Sequence, residues 1–128
     1  MATPLIGLAT QRNQDFGLMD KIKFDKNFEP PFGTAVKLSP LVRRITCNNP
    51  SPFTFKGTNT FIVGHQSVAI VDPGPDDAAH LAAILNAVRG ETVSHILVTH
   101  THMDHSPLAA KLSAVTGAKT FSAISPAK

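Results

Sequence analysis

The sequence predicts an α/β fold, and three observations carry that prediction. Short apolar runs bounded by Gly, Pro, Asn and Asp read as strands, and two longer stretches carry the 3.6-residue apolar period of helices. Their order along the chain is strands, helix, strand, polar loop, helix, strand, which is the layout of a sheet with crossover helices. The most polar of these loops, rich in histidine, falls at the carboxyl end of a strand, where such sheets place their sites.

At 128 residues the chain makes one modest domain. A composition of 42% hydrophobic and 16% charged residues is that of a globular protein and excludes a disordered segment. The net charge of +3 is spread thinly, with Arg43-Arg44 the only adjacent basic pair. Eight Phe and no Tyr or Trp leave no basic–aromatic interleaving, so charge gives little support to a nucleic-acid module, although an anionic substrate fits. Cys47 is the sole cysteine, which excludes an internal disulfide. The amino-terminal residues lack the basic and apolar regions of a signal peptide, and no run approaches the ~20 apolar residues of a membrane span. The expected location is cytoplasmic, with no membrane partner.

Residues 1–40 read as an irregular lead punctuated by Glu29-Pro30-Pro31-Phe32-Gly33, and residues 41–128 as the folded domain. Leu41–Thr46 has strand composition, and Asn48-Asn49-Pro50-Ser51-Pro52 breaks it. Thr60–Val63 and Val68–Val71 form a hairpin through Gly64-His65-Gln66-Ser67. Asp72-Pro73-Gly74-Pro75 stops the second strand. Asp76-Asp77 then open a helix at the end where its dipole favours negative charge. Leu81, Ile84, Leu85 and Val88 supply its apolar stripe, and Gly90 ends it. Val93–Val98, apolar to its end, reads as a strand covered on both faces. Ser106 is the expected N-cap of a second helix with Pro107 its first residue, Leu108 to Thr116 its body and Gly117 its stop. Lys119–Ile124 is the last expected strand.

The chemistry concentrates in Thr99-His100-Thr101-His102-Met103-Asp104-His105, which holds three of the six histidines and one carboxylate. Imidazole and carboxylate on one short loop suit a divalent cation, zinc above all, with iron or manganese accepted by the same donors. His100 and His102 alternate along an extended turn and reach one ion. Asp104 and His105 face a second. Two ions bridged by a water lower its pKa and produce hydroxide near neutral pH, able to attack a carbonyl or phosphoryl centre. Asp104 is also the candidate catalytic residue, orienting that hydroxide or moving its proton.

Val71-Asp72-Pro73-Gly74, the helix after it, and a strand running into the H-x-H-x-D-H segment resemble the metallo-β-lactamase superfamily of hydrolases. Gly57-Thr58-Asn59-Thr60-Phe61-Ile62-Val63 and Ser106-Pro107 resemble the β-lactamase-like subgroup near glyoxalase II and endoribonuclease-like members. The resemblance covers about residues 36–124. It implies a four-layer αβ/βα sandwich with a dinuclear site at one edge. It assigns His100 and His102 to the first metal and Asp104 and His105 to the second. Asp72 matches the acidic residue that steadies the metal loop from behind by accepting hydrogen bonds, one shell out from the ions.

The family completes its site with two further histidines and a bridging aspartate well downstream, and no histidine follows His105 here. The chain therefore resembles the N-terminal half of that sandwich. Half a sandwich exposes an apolar sheet face, which invites self-association. The implied reaction is hydrolysis of an ester, thioester or phosphodiester by metal-held hydroxide. The expected partners are a small-molecule ester or thioester, or RNA, and the resemblance does not separate these. The alternative is a catalytically incomplete metal-binding fragment that acts only through a partner or not at all. Among the remaining candidates His65 reads as a solvated turn residue, His80 as a packing or exposed helix residue, and His95 as a core-edge residue. Cys47 reads as a small buried hydrophobe.

Overall fold

A computed structural model describes residues 27–99 and 106–122. They form a six-stranded mixed sheet in sequence order, with two helices. The strands are β1 (Val36–Ser39), β2 (Val42–Thr46), β3 (Asn59–His65), β4 (Ser67–Val71), β5 (Thr92–Val98) and β6 (Lys119–Ser122). The helices are α1 (Ala78–Ala87), between β4 and β5, and α2 (Ala109–Thr116), between β5 and β6. β1 to β4 run antiparallel, and β4, β5 and β6 run parallel. Parallel neighbours need a crossover, and the two helices are those crossovers.

The turns explain where the strands stop. β3 and β4 are joined through Gln66, whose φ of 66° lies in the left-handed region, next to Gly64 at 112°. Gly57, before β3, has a φ of 137°, and a Cβ there would sit 2.0 Å from the Cys47 carbonyl oxygen. Only glycine lets the loop pass so close to the end of β2. Beside it, Asn49 accepts from the Thr58 amide at 2.8 Å, and Thr46 donates to Asn59 at 2.8 Å.

α1 starts as the sequence indicates, with Asp77 in an extended conformation accepting from the His80 amide at 2.8 Å. Its buried line is His80, Ile84 and Val88, with Leu81 and Leu85 half-buried beside it. α2 departs from expectation at its start. Leu108, not Ser106, is the cap and makes no side-chain capping bond, while Ser106 accepts from the Ala109 amide through its backbone carbonyl at 3.0 Å. A turn at Pro107-Leu108 precedes the helix and takes over the role expected of a Ser hydroxyl. At the other end Gly117, φ 76°, caps α2 in the left-handed conformation.

β1 adds a strand inside the segment read as an irregular lead. It pairs with β2 through Val36–Arg44 and Lys37–Arg43 and is exposed along most of its length. Polar, short and half-solvated, it carries none of the apolar run that marks the inner strands.

The core lies on one side of the sheet. Ile45, Ile62, Val68, Ile70 and Ile96 join Ile84 of α1 and Leu108 and Leu112 of the α2 region in one cluster of buried residues. On the opposite side, cross-strand pairing places Phe61, Val71, Leu97 and Phe121 in a single row over four strands. Val63, Ala69 and His95 form the row beside it. Leu97 is 37% and Phe121 48% exposed. The expectation that β5 is covered on both faces is therefore corrected among the described residues: Val93, Ile96 and Val98 are buried, and His95 and Leu97 are exposed. Both crossover helices pack on the same side, which leaves the alternate β5 side chains without a layer above them.

Truncation on the two faces should separate them. Ile96→Ala removes a fully buried side chain and should lower stability by ~2–5 kcal/mol. Leu97→Ala, one residue on, should cost well under ~1 kcal/mol as an exposed position. The urea midpoint of the 128-residue chain measures both, and an equal loss at Leu97 would mean that the open face is covered in solution.

Candidate functional site

His100, His102, Asp104 and His105 lie outside the described residues. What the structure defines is the frame on either side of them. Thr99 follows β5, Ser106 precedes α2, and one turn, Asp72-Pro73-Gly74 after β4, holds both margins.

Asp72 is 7% exposed. Its Oδ1 accepts from the Thr99 amide at 2.8 Å, and its Oδ2 accepts from the Thr99 hydroxyl at 2.7 Å. Its own amide donates to the Leu97 carbonyl at 2.8 Å, which extends the β4–β5 ladder by one step. Two residues on, the Gly74 carbonyl accepts from the Leu108 amide at 3.0 Å. The residue that enters the histidine-rich segment and the residue that starts the following helical turn are thus tied to the same three-residue turn. Asp72 has a φ of 53°, left-handed for a residue with a side chain. Aspartate tolerates that conformation better than most residues, and here it lets one residue present its carboxylate to Thr99 and its carbonyl back to the sheet.

The carbonyl side of Asp72 leads into the core. Thr60 Oγ1 donates to the Asp72 carbonyl oxygen at 2.7 Å and lies 2.8 Å from His80 Nε2. Thr60 is fully buried, and His80 is 3% exposed. Burial pushes the His80 pKa down, against the opposing pulls of the Asp77 carboxylate and the Pro73 carbonyl. The imidazole is therefore neutral at physiological pH. Sequence reasoning placed His80 on α1 without assigning it a partner. The signal that could have found it is its position one turn before Ile84 on the buried line, where a polar ring needs a hydrogen bond.

The other candidates sit elsewhere. His65 is exposed at the β3–β4 turn, 3.9 Å from Glu91. Glu91 itself is bound by Arg43 at 2.8 Å, a hydrogen bond that holds its carboxyl below the usual range. Arg43 also donates to the Ala87 carbonyl at 3.0 Å and so ties β2 to the end of α1. His95 is exposed on the open face, with its ring centroid 5.4 Å from that of Phe121. Cys47 is 1% exposed, and burial, with a smaller push from Asp77, raises its thiol to about 11. It is a buried small side chain, as its sequence context indicates. Among the described residues no group of three His, Cys, Asp or Glu side chains could hold a metal ion.

A cavity of about 300 Å³ opens beside Asp72, walled by Phe53, Thr54, Gly57, Thr58, Asn59 and Phe61. Phe53, on the loop between β2 and β3, is 94% exposed. Sequence reading singled out Gly57 to Phe61 through the family resemblance but not Phe53, which sits in a short loop with no strand or helix period.

The described residues thus form a mixed sheet with crossover helices on one face, whose β4 turn binds Thr99 before and Leu108 after the H-x-H-x-D-H segment. The superfamily profile described as metallo-β-lactamase superfamily matches residues 53–125, and the chain belongs to that superfamily. It is similar to an atrochrysone carboxyl ACP thioesterase of Passalora fulva, 38% identical over 80 residues that are 60% of this chain and 24% of that protein. It is also similar to a β-lactamase-like protein 2 homologue of Caenorhabditis elegans, 42% identical over 73 residues, 54% of this chain and 25% of that one. Among solved structures it matches a β-lactamase domain protein from Burkholderia ambifaria with a TM-score of 0.58 and 27% identity, covering 75% of this chain and 33% of that one. The chain spans about a quarter of the length of the curated relatives it matches. It represents a part of the superfamily fold, the N-terminal half of the sandwich. No helix among the described residues is long and apolar enough to cross a membrane.

Two outcomes follow from this geometry. Asp72→Ala removes the acceptor of both Thr99 bonds and should destabilise the fold by ~1–3 kcal/mol, read as a lower thermal midpoint with faster exchange of the Thr99 amide. Cys47, with its thiol raised to about 11, should be alkylated by iodoacetamide at pH 8 ~100-fold more slowly in the folded than in the urea-unfolded chain.

Proposed function

We propose that the protein carrying this chain is a divalent-metal hydrolase, with zinc as the metal and a thioester as the substrate. The observation that supports it most is the clasp of Asp72 and Gly74 on Thr99 and Leu108, at the two margins of the histidine-rich segment. A segment carrying three imidazoles and a carboxylate has the donor chemistry of zinc, and ligands are effective when an outer shell fixes their approach. In this reading His100 and His102 serve one ion, and Asp104 and His105 a second. Asp72 steadies them from behind through Thr99. Bound there, zinc would polarise a carbonyl and lower the pKa of water. Asp104 would hold and move a proton at its carboxylate. The remaining ligands of both ions would come from outside these residues.

Two observations favour a thioester over an RNA phosphodiester. Relatives of 38% identity are named as acyl-carrier thioesterases. The cavity beside Asp72 is lined by two phenylalanines, Phe53 and Phe61, among polar Thr54, Thr58 and Asn59, and, among the described residues, by no basic side chain, which suits an acyl ester better than a polyanionic backbone.

The test is elemental analysis and turnover of the complete protein. It should hold about two zinc ions per chain, as a two-metal site requires. It should release free thiol from an acyl-thioester, and lose that activity to a chelator with recovery on adding zinc. Asp104→Ala should lower kcat/KM by at least ~100-fold. Thioester turnover that survives complete metal removal would overturn the proposal. Turnover of an RNA phosphodiester with none on the thioester would overturn its substrate.

A further inference from the structure

We infer that His80 is a positioning residue for the histidine-rich segment, acting through the Thr60 hydroxyl on the backbone of Asp72. Among the described residues it reaches Thr60 and, through Thr60, the carbonyl of Asp72. Its reach is indirect, and each link is a hydrogen bond of defined direction.

Thr60 has one hydroxyl proton, and the 2.7 Å contact with the Asp72 carbonyl uses it, because a carbonyl oxygen can only accept. At the 2.8 Å contact with His80, Thr60 must then be the acceptor and Nε2 the donor. The ring is fixed as the Nε2–H tautomer. Nδ1, which carries the lone pair, is buried with no hydrogen-bond partner. A leucine would fill this place on the buried line of α1 without stranding a polar atom. The Pro73 carbonyl near the ring makes no hydrogen bond of good geometry with Nδ1, so the contact with Thr60 is what the position gains.

The bond does its work at Asp72. That residue holds a left-handed φ of 53°, a conformation that persists only where the surroundings over-determine it. Among the described residues, the groups that do so include the Leu97 carbonyl on the Asp72 amide, the Thr60 hydroxyl on its carbonyl, and Thr99 on its carboxylate. The hydroxyl is the one that could turn away. Thr60 has other rotor positions, and the Nε2–H of His80 holds its lone pair so that its proton stays on Asp72. His80 is itself held, since its amide is the one capped by Asp77 at the start of α1. The order of that helix end is thereby passed to the entrance of the histidine-rich segment.

This inference rests on the metal reading above only for one of its two readouts. In the complete protein, Thr60→Val and His80→Leu remove the acceptor and the donor, and Thr60→Ser and His80→Gln retain them. One readout is hydrogen exchange of the Thr99 amide against that of the Ile70 and Ile96 amides. The other is zinc affinity by competition with a chromogenic chelator. Thr60→Val and His80→Leu should speed Thr99 exchange at least ~10-fold beyond any change in the core amides, and weaken zinc binding ~10–100-fold. The Ser and Gln variants should stay near the parent in both. Should His80→Leu fail to fold, Thr60→Val, close in shape to the residue it replaces, decides the matter. Thr99 exchange that rises only in step with the core amides would overturn the inference. So would selective exchange with zinc affinity unchanged. If the parent protein binds no zinc while the exchange pattern holds, the metal reading falls and the positioning of Thr99 stands.

Discussion

The turn Asp72-Pro73-Gly74 is the constraint on which the rest of this structure depends. It lies where β4 stops, yet its hydrogen bonds reach β3, β5, the entrance of the histidine-rich segment and the start of the α2 region. Most turns satisfy their own backbone groups locally. This one exports them, and that is possible because its conformation is unusual: a left-handed Asp72, a proline with no amide to satisfy, and a glycine at φ 99°. With amide, carbonyl and carboxylate each bound to a different segment, Asp72 is a junction of backbone elements in addition to being a charged side chain. Replacing it perturbs several segments at once.

The second constraint is the one-sidedness of the sheet. Two crossover helices on the same face bury Ile45, Ile62, Ile70 and Ile96, while the row on the other face has Phe61 and Val71 half-buried and Leu97 and Phe121 exposed. Arg44, paired with Phe61 at the edge of that row, places its guanidinium 4.7 Å over the Phe28 ring. An apolar strip of this length is the surface on which a second sheet packs in a sandwich. The relatives are about four times as long as the matched segment, which is consistent with the rest of the sandwich lying in the sequence those proteins carry beyond it. The same clasp at Asp72 sits at the end of the sheet, and its bonds to Thr99 and from Leu108 to Gly74 are made within the described residues, without that second layer.

Where local pattern and tertiary packing agree, the elements are readable from sequence. The β3–β4 hairpin, α1 with Asp77 at its cap and Gly117 at the end of α2 are each dictated by residues within a few positions of themselves. Where the determining partner is distant, the reading fails. β1 carries no apolar run, because it is an edge strand whose pairing with β2 alone defines it. The Ser106 cap was displaced because Gly74, more than thirty residues earlier, fixes Leu108 and starts a turn ahead of the helix. The continuous apolar end of β5 reads as two covered faces, and the second of them needs a layer that the described residues do not include. At the site, the H-x-H-x-D-H segment is legible from its spacing, and Asp72 from the family resemblance, which implies that it accepts hydrogen bonds, as it does from Thr99. Thr60 and His80 are not, since an ordinary strand threonine and a helix histidine become partners only after the sheet has formed.

The division between ligand-type residues and framing residues has a physical reason. A short segment crowded with imidazoles and a carboxylate has little apolar content with which to fix its own path, and ordering each residue costs about 1–2 kcal/mol of backbone entropy. In the proposed reading, fixing both margins of the segment supplies part of that order before an ion arrives, which lowers what binding must provide. Groups that do this can neither be exposed nor compete for the ion, so they are drawn from the core side of the sheet: a fully buried hydroxyl, a neutral buried imidazole and a carboxylate already committed to Thr99. A neutral ring is the better choice at position 80, because a second charge so deep would need its own partner. The framing residues are for this reason scattered over β3, β4 and α1, while the residues they serve are nearly consecutive.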